Sequence, residues 1–252
     1  MALHRTRAIV LKSINLSDSD RLVTFLTESH GKLKCVAKGA RKVKTRFWGS
    51  LEPMSNIHLI YFGKENQNLY RLTQADLIES FHSIREDFGK LFKGVYFLEL
   101  IDSMILEGNR DQRIYFLLQQ TLSVLKSETD IDLLIRLFEI RLLSLSGYKP
   151  QLDHCIVCKT VSMNGIFKFS FFQNGILCLN CSRKIATDIQ FTTGTRNYIK
   201  KLMEVEIKSC GRIKFPNKQA EEIEKVTHRL ILSQLGRETK SYPFIKNMGQ
   251  FI

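Results

Sequence analysis

The chain has 252 residues, room for one to three domains with real cores. Hydrophobic residues make up 44% and charged residues 25%, as in water-soluble globular proteins, and no apolar run reaches the roughly 18 residues of a membrane helix. The net charge of +13 is far from ordinary; a field of that sign draws polyanions, meaning nucleic acid, acidic protein segments or anionic membrane.

The first residues, MALHRTRAIVLKS, are charged where a secretory signal needs its apolar stretch, so a cytoplasmic location is expected. RAIVLKS, RLVTFLT, GKLKCVAK, NIHLIYF and LYRLTQA are short and rich in β-branched and aromatic residues. The turn-type segments NLSDSD, ESHG and GKENQN separate them. Five such strands within residues 1–80 predict a small closed β-barrel, because closure removes exposed edges. In the third strand, Leu33, Cys35 and Ala37 share one face, which assigns Cys35 to the core. Lys32, Lys34 and Lys38 share the other and are expected on an outer surface.

Lys32, Lys34, Lys38, Arg41, Lys42, Lys44 and Arg46 precede Phe47 and Trp48, the only tryptophan, with no acidic residue among them. Gly39–Pro53 reads as a long loop, a feature that is often functional. Lysines and arginines at this density suit phosphate neutralisation, and an exposed ring of Phe47 or Trp48 suits base stacking. Trp48 as a plug of the barrel is the competing reading. Lys12 and Arg21 are weaker candidates.

From Phe81 the apolar spacing becomes helical, in FHSIREDFGKLFKGVYFLELIDSMI, DQRIYFLLQQTLSVLKS and DIDLLIRLFEIRLLSLSGY. The last is expected to start at a cap on Asp130 or Asp132 and to stop at Gly147. NKQAEEIEKVTHRLILSQLG predicts a further helix near the C-terminus. The net charge is +6 over residues 1–80, −1 over 81–150, +2 over 151–190 and +6 over 191–252, so two basic ends flank a neutral middle. These four segments are the expected organisation of an α+β multidomain chain: barrel, first helical part, cysteine module, second helical part.

Among six cysteines, Cys155 and Cys158 form CIVC, and Cys178 and Cys181 form CLNC. In a reducing compartment such pairs favour metal over disulfides. Two thiolates three positions apart wrap one ion, and two such knuckles complete a tetrahedron of sulfurs. IFKFSFFQ alternates, and Asn174–Gly175 predicts a two-residue hairpin turn that returns the second pair to the first. Four sulfurs leave no open position, so the expected metal is structural. Lys159, Arg183 and Lys184 offset its thiolate charge, and His154 is an alternative ligand. No phosphate-binding loop, HExxH or Gly-x-Ser-x-Gly is present, so a non-enzymatic binder is expected. Asp18 and Asp20 in LSDSDR either shape a turn or, in a nuclease reading, pair to hold a divalent metal.

RAIVLKS with SDRLVTFLT and HGKLKCVAKGARK, then FLELIDSMI, RLFEIRLLSLSGYKPQLDHCIVC and HRLILSQLGRETKSYPFI, resemble in that order the RecO-type recombination mediators of bacterial DNA repair. The resemblance implies an oligonucleotide-binding (OB) fold followed by an all-α domain with an inserted four-cysteine zinc module, one Zn2+ per chain. It also implies binding of single- and double-stranded DNA, strand annealing, and, with RecR, RecA loading onto DNA coated by single-stranded DNA-binding protein (SSB). The acidic SSB tail is expected on the helical domain, with Arg136 as its cation by motif position and Arg141 as second choice. A bacterial, nucleoid-associated location follows. Tyr242 stands where the family favours arginine, which puts any DNA contact there in doubt. The rival reading is a zinc-containing RNA-binding or ribosome-associated module.

Overall fold

A computed structural model describes residues 2–64, 67–127, 132–161, 165–185, 189–213 and 217–247. Asp130, one of the two expected caps, lies outside them. The chain forms two compact units, residues 1–127 with 239–252, and residues 128–238. These units cut across the four segments expected from sequence, because the helices up to Ser127 pack with the barrel.

In the first unit, β1 (Ala2–Asn15), β2 (Arg21–Thr27), β3 (Gly31–Ala37), β4 (Asn56–Gly63) and β5 (Tyr70–Glu79) close a barrel in the order β1-β2-β3-β5-β4. The alternating sequences dictate this. One face of each strand supplies the core, with Ala8, Val10, Val23, Phe25, Leu33, Cys35, Ile57, Leu59 and Leu72 among its members. β1 runs longer than the sequence suggests. Its first half pairs with β4, from Ala2↔Gly63 to Ile9↔Asn56, and its second half with β2. A register shift between Val10 and Lys12 lets one strand serve both neighbours. Closure comes from the parallel contact of β3 with β5, through Cys35↔Tyr70 and Val36↔Arg71. The expected OB-type barrel is therefore observed.

The helical run expected from Phe81 is broken into α1 (His82–Glu86) and α2 (Phe88–Met104). Asp87 interrupts it in an extended conformation, and its carboxylate accepts the Lys90 N–H at 3.1 Å, an N-cap inside what reads as one stripe. α3 (Gln112–Ser127) buries Ile114, Leu118, Leu122 and Leu125 along one stripe. Tyr115 reaches the barrel and donates to Asn56 Oδ1 at 3.0 Å.

The second unit is built on α4 (Asp132–Leu145), buried on every side from Leu133 to Ile140. A helix buried all round is a core helix, and this one carries the charged Arg136 and Glu139 inside. It ends as expected at Gly147, at φ 89°. There the Tyr148 N–H reaches Leu143 O at 2.8 Å and the Gly147 N–H reaches Ser144 O at 3.4 Å, a Schellman closure. A small sheet follows, β6 (Ile166–Ser170), β7 (Gly175–Leu177) and β8 (Ile189–Thr192), in the order β7-β6-β8. α5 (Thr193–Glu204) and α6 (Asn217–Leu235) complete the unit, and α7 (Tyr242–Asn247) returns to the first. Among the described residues no helix is long and apolar enough to cross a membrane.

Candidate nucleic-acid interface and metal centre

The loop between β3 and β4 is pinned at its entrance. Asp20 Oδ1 accepts the Gly39 N–H and the Ser19 hydroxyl, each at 2.8 Å. Gly39 takes φ 71°, and Arg41 donates to Ser17 O at 2.7 Å. The Gly39 amide holds the Asp20 carboxyl below its usual range, helped by Ser19 and by the nearby Lys38 and Lys42. Asp20 thus shapes a turn and orders a basic loop, the turn reading of LSDSDR.

The two aromatic candidates separate cleanly. Phe47 is 3% exposed and belongs to the barrel core, while Trp48 is 86% exposed. The plug is Phe47, and the Arg46 guanidinium covers its ring at 4.9 Å from the centroid. A cleft of about 610 Å3 opens here, lined by Arg21, Arg41, Lys42, Trp48 and Glu52 among others. Lys38, Arg41, Lys42, Lys44 and Arg46 are placed on or beside this loop, and Arg41, Lys42, Lys44 and Arg46 follow its pinned entrance. The arrangement presents cations around an exposed indole, which can neutralise phosphates and stack one base without reading its edges.

Two of the seven cations differ from the sequence expectation. Lys32 is only 8% exposed, its Nζ bonded to the Asp102 carbonyl and lying 3.3 Å from Asp102 Oδ1. The strand pattern gave its face correctly, but the C-terminal turn of α2 and the connection after it cover that face. Lys34 pairs with Glu107 at 2.6 Å, which raises the lysine's pKa.

Arg136, expected as an exposed cation for an acidic tail, is 5% exposed. It donates to Glu139 Oε2 at 2.9 Å and to Thr227 Oγ1 at 3.1 Å, tying α4 to α6. Arg136 is inside because α4 is central, and Glu139 one turn on supplies its counter-charge. Arg141 is half-buried and donates to Met203 O. Tyr242 is buried beside Tyr96, with ring centroids 5.9 Å apart, and so is a packing residue.

The four cysteines of the two knuckles meet, their sulfurs all within 4.8 Å of one another. Cys158 Sγ and Cys178 Sγ are 3.7 Å apart. A tetrahedral ion with metal–sulfur bonds of about 2.3 Å needs sulfurs roughly 3.8 Å apart, so the cage fits zinc in size and donor type. His154 is not part of the cluster. The Thr160 hydroxyl, 3.2 Å from Cys158 Sγ, holds that thiol down to about 6, while sharing a hydrogen bond with Cys178 pushes Cys181 up to about 12. Four like charges cannot coexist unaided at this spacing. A divalent cation is what would let all four ionise.

The second knuckle arrives by a longer turn than expected. Residues 171–174 form a four-residue loop and Gly175 is already in β7, paired with Ser170. Asn174 takes the left-handed conformation at φ 51°, and its amide donates to Tyr148 O and Lys149 O at 3.2 Å each. Gly175 is glycine for close approach, since a Cβ there would stand 2.4 Å from Ile156 Cγ2. Backbone bonds Ile176 N→Gln151 O and Ile156 N→Ile176 O, both 3.0 Å, then lock β7 to the first knuckle.

The family described as Recombination protein O N terminal matches residues 1–81, and the one described as Recombination protein O C terminal matches residues 85–243. A relative named DNA repair protein RecO, from Thermoanaerobacter sp., is 34% identical over 250 residues, covering 98% of this chain and 99% of the relative. Proteins of the same name from Symbiobacterium thermophilum and Syntrophus aciditrophicus are 30% and 33% identical, covering 98% and 95% of this chain and 98% and 94% of their own lengths. Both halves of the chain and nearly its full length are accounted for in these matches, and the chain belongs to the RecO family of DNA repair proteins.

Proposed function

We propose that this protein is a recombination mediator that binds single- and double-stranded DNA through the β3–β4 loop and anneals complementary strands. With RecR it promotes RecA loading on SSB-coated single strands. The observation that carries the reading is Trp48, 86% exposed at a cleft lined by Arg21, Arg41 and Lys42. Cations neutralise the phosphates of two strands together and lower their repulsion, and base pairing supplies the driving force, so no nucleotide hydrolysis is needed. Cys155, Cys158, Cys178 and Cys181 hold one structural Zn2+, whose part is to fold the module and not to react. In this reading the acidic SSB tail docks on the helical domain without Arg136, and the protein works on the nucleoid in the bacterial cytoplasm.

The test is annealing of fluorescent complementary oligonucleotides, alone and coated with SSB, with and without RecR. Lys42→Ala/Lys44→Ala/Arg46→Ala should slow annealing at least tenfold and flatten the salt dependence of binding by about 0.7 per lost phosphate contact. An unchanged rate and slope would place the DNA elsewhere. Cleavage of the strands in the presence of magnesium would favour the nuclease reading instead.

A further inference from the structure

A second cavity lies at the end of the barrel where β3 and β5 part. Those strands pair only at Cys35↔Tyr70 and Val36↔Arg71. Before that point Lys32 pairs with Glu107 from the α2–α3 connection, and the Gly108 N–H donates to Lys32 O at 3.2 Å. Gly31, at φ 71°, permits this strap: a Cβ there would stand 2.2 Å from Asn109 O. The gap beside the strap holds a cavity of about 180 Å3.

Four rings wall it. His4 lies opposite Tyr61 in the β1–β4 register and stacks on it, with centroids 4.9 Å apart and planes 17° from parallel. Tyr70 and His30 meet Tyr61 edge-on at 4.9 and 5.8 Å. His4 Nε2 is buried and has no hydrogen-bond partner among the described residues. That nitrogen is sealed among the packed rings, so it is the ring surfaces of the wall that face the cavity. Arg110 stands at the cavity wall as a cation.

The chemistry narrows the ligand. Aromatic walls want a planar ring, and Arg110 at the rim suits an attached anionic group. The volume is below the roughly 300–1,000 Å3 of sites for drug-sized molecules, so a single ring system fits and a whole nucleotide does not. We propose that this cavity takes one unpaired nucleobase of a DNA single strand, its phosphate left outside near Arg110. The proposal rests on reading the barrel as a DNA-binding unit and adds a second anchoring point to Trp48. It also gives a preference between strands. An unpaired base enters freely, whereas a base in a duplex must first be unstacked. Contact with aromatic walls is tolerant of base identity, as annealing requires.

The experiment uses the full chain with His4→Ala on β1 and Tyr70→Leu on β5, each checked for folding by thermal melting, so that either alone suffices. Fluorescence anisotropy is measured with a labelled oligothymidine and with a duplex of equal length. Stacking of one base predicts at least a fivefold rise in single-strand Kd with the duplex Kd unchanged. A 5-iodouracil oligonucleotide should also cross-link to the peptide carrying Tyr70. Folded variants that bind single strands like the wild type overturn the proposal. So does an equal loss for both ligands, because then the rings serve only the fold. A wild-type protein that binds neither ligand removes the DNA-binding reading itself. Sensitivity of both ligands to the loop lysines but not to His4 or Tyr70 removes the cavity alone.

Discussion

Phe47 and Trp48 are neighbours in the chain with opposite fates, Phe47 sealed in the barrel core and Trp48 standing in solvent. Replacing each with alanine should separate stability from binding. Phe47→Ala opens a cavity in a packed core and should cost about 3–5 kcal/mol. Trp48→Ala should leave the melting temperature in place and weaken single-strand binding by roughly 1–3 kcal/mol. Melting curves and anisotropy titrations on both variants check the split; equal melting temperatures for the two would refute it.

The Lys34–Glu107 pair, 2.6 Å apart and half-exposed on both sides, sets a second expectation. Such a pair contributes about 0–1 kcal/mol to stability. In the proposed mode of DNA binding its larger effect is on charge availability, because Glu107 neutralises a lysine that could otherwise meet a phosphate. Glu107→Gln should therefore hardly change the melting temperature and should steepen the salt dependence of single-strand binding by about 0.7, one additional phosphate. Titrations at several salt concentrations read this directly. A slope equal to wild type would mean that the strand does not pass Lys34.

Asp20 gives a pH dependence with a definite sign. The Gly39 N–H and the Ser19 hydroxyl depress its folded-state pKa below the ordinary carboxylate value. A depressed acid contributes order that is fully present above its unfolded pKa and lost as pH falls through the folded one. The Arg7–Glu28 pair, whose carboxylate is depressed by the arginine's hydrogen bonds, acts in the same direction. The Gly39 amide should exchange slowly with deuterium at neutral pH and lose protection below about pH 4. Asp20→Ala should abolish that protection at every pH.

If the four-cysteine cage holds the proposed zinc, metal analysis should find one zinc per chain, and cobalt substitution should give tetrahedral sulfur-ligand absorption. Cys178→Ser or a chelator should lower the melting temperature of residues 128–238 while single-strand binding by the barrel persists. Zinc must displace protons from the thiols, so its release should accelerate as pH falls. Metal-free protein with an unchanged melting temperature would show the cage to be dispensable.

Much of this is legible in the sequence because the signals are local. Period-two alternation gives the strands and the faces of Leu33 and Cys35. A glycine after an apolar stripe gives the end of α4, and two CxxC pairs give the cage. What escapes depends on distant partners. The face of Lys32 is correct, yet no local pattern announces that Asp102 and the connection between α2 and α3 will cover it. Asn174–Gly175 looks like a two-residue turn, but Gly175 is kept small by Ile156, nineteen positions earlier, and so enters the strand. Asp87 has the chemistry of a cap, but the apolar spacing continues across it and hides the break.

Arg136 and Glu139 show the same limit and yield the last prediction. They sit three residues apart on α4, both buried, with the arginine also bonded to Thr227 of α6. Removing the arginine takes its counter-charge from a fully buried carboxylate, so Arg136→Ala should destabilise the protein by about 3–5 kcal/mol. Replacing both with apolar residues of similar volume, Arg136→Met with Glu139→Leu, should restore stability to near wild type or above it, because neither charge then has to be desolvated. Urea unfolding of the single and double variants measures the coupling. If Arg136 served chiefly to hold a partner's carboxylate, the single variant would unfold like wild type and only peptide binding would change.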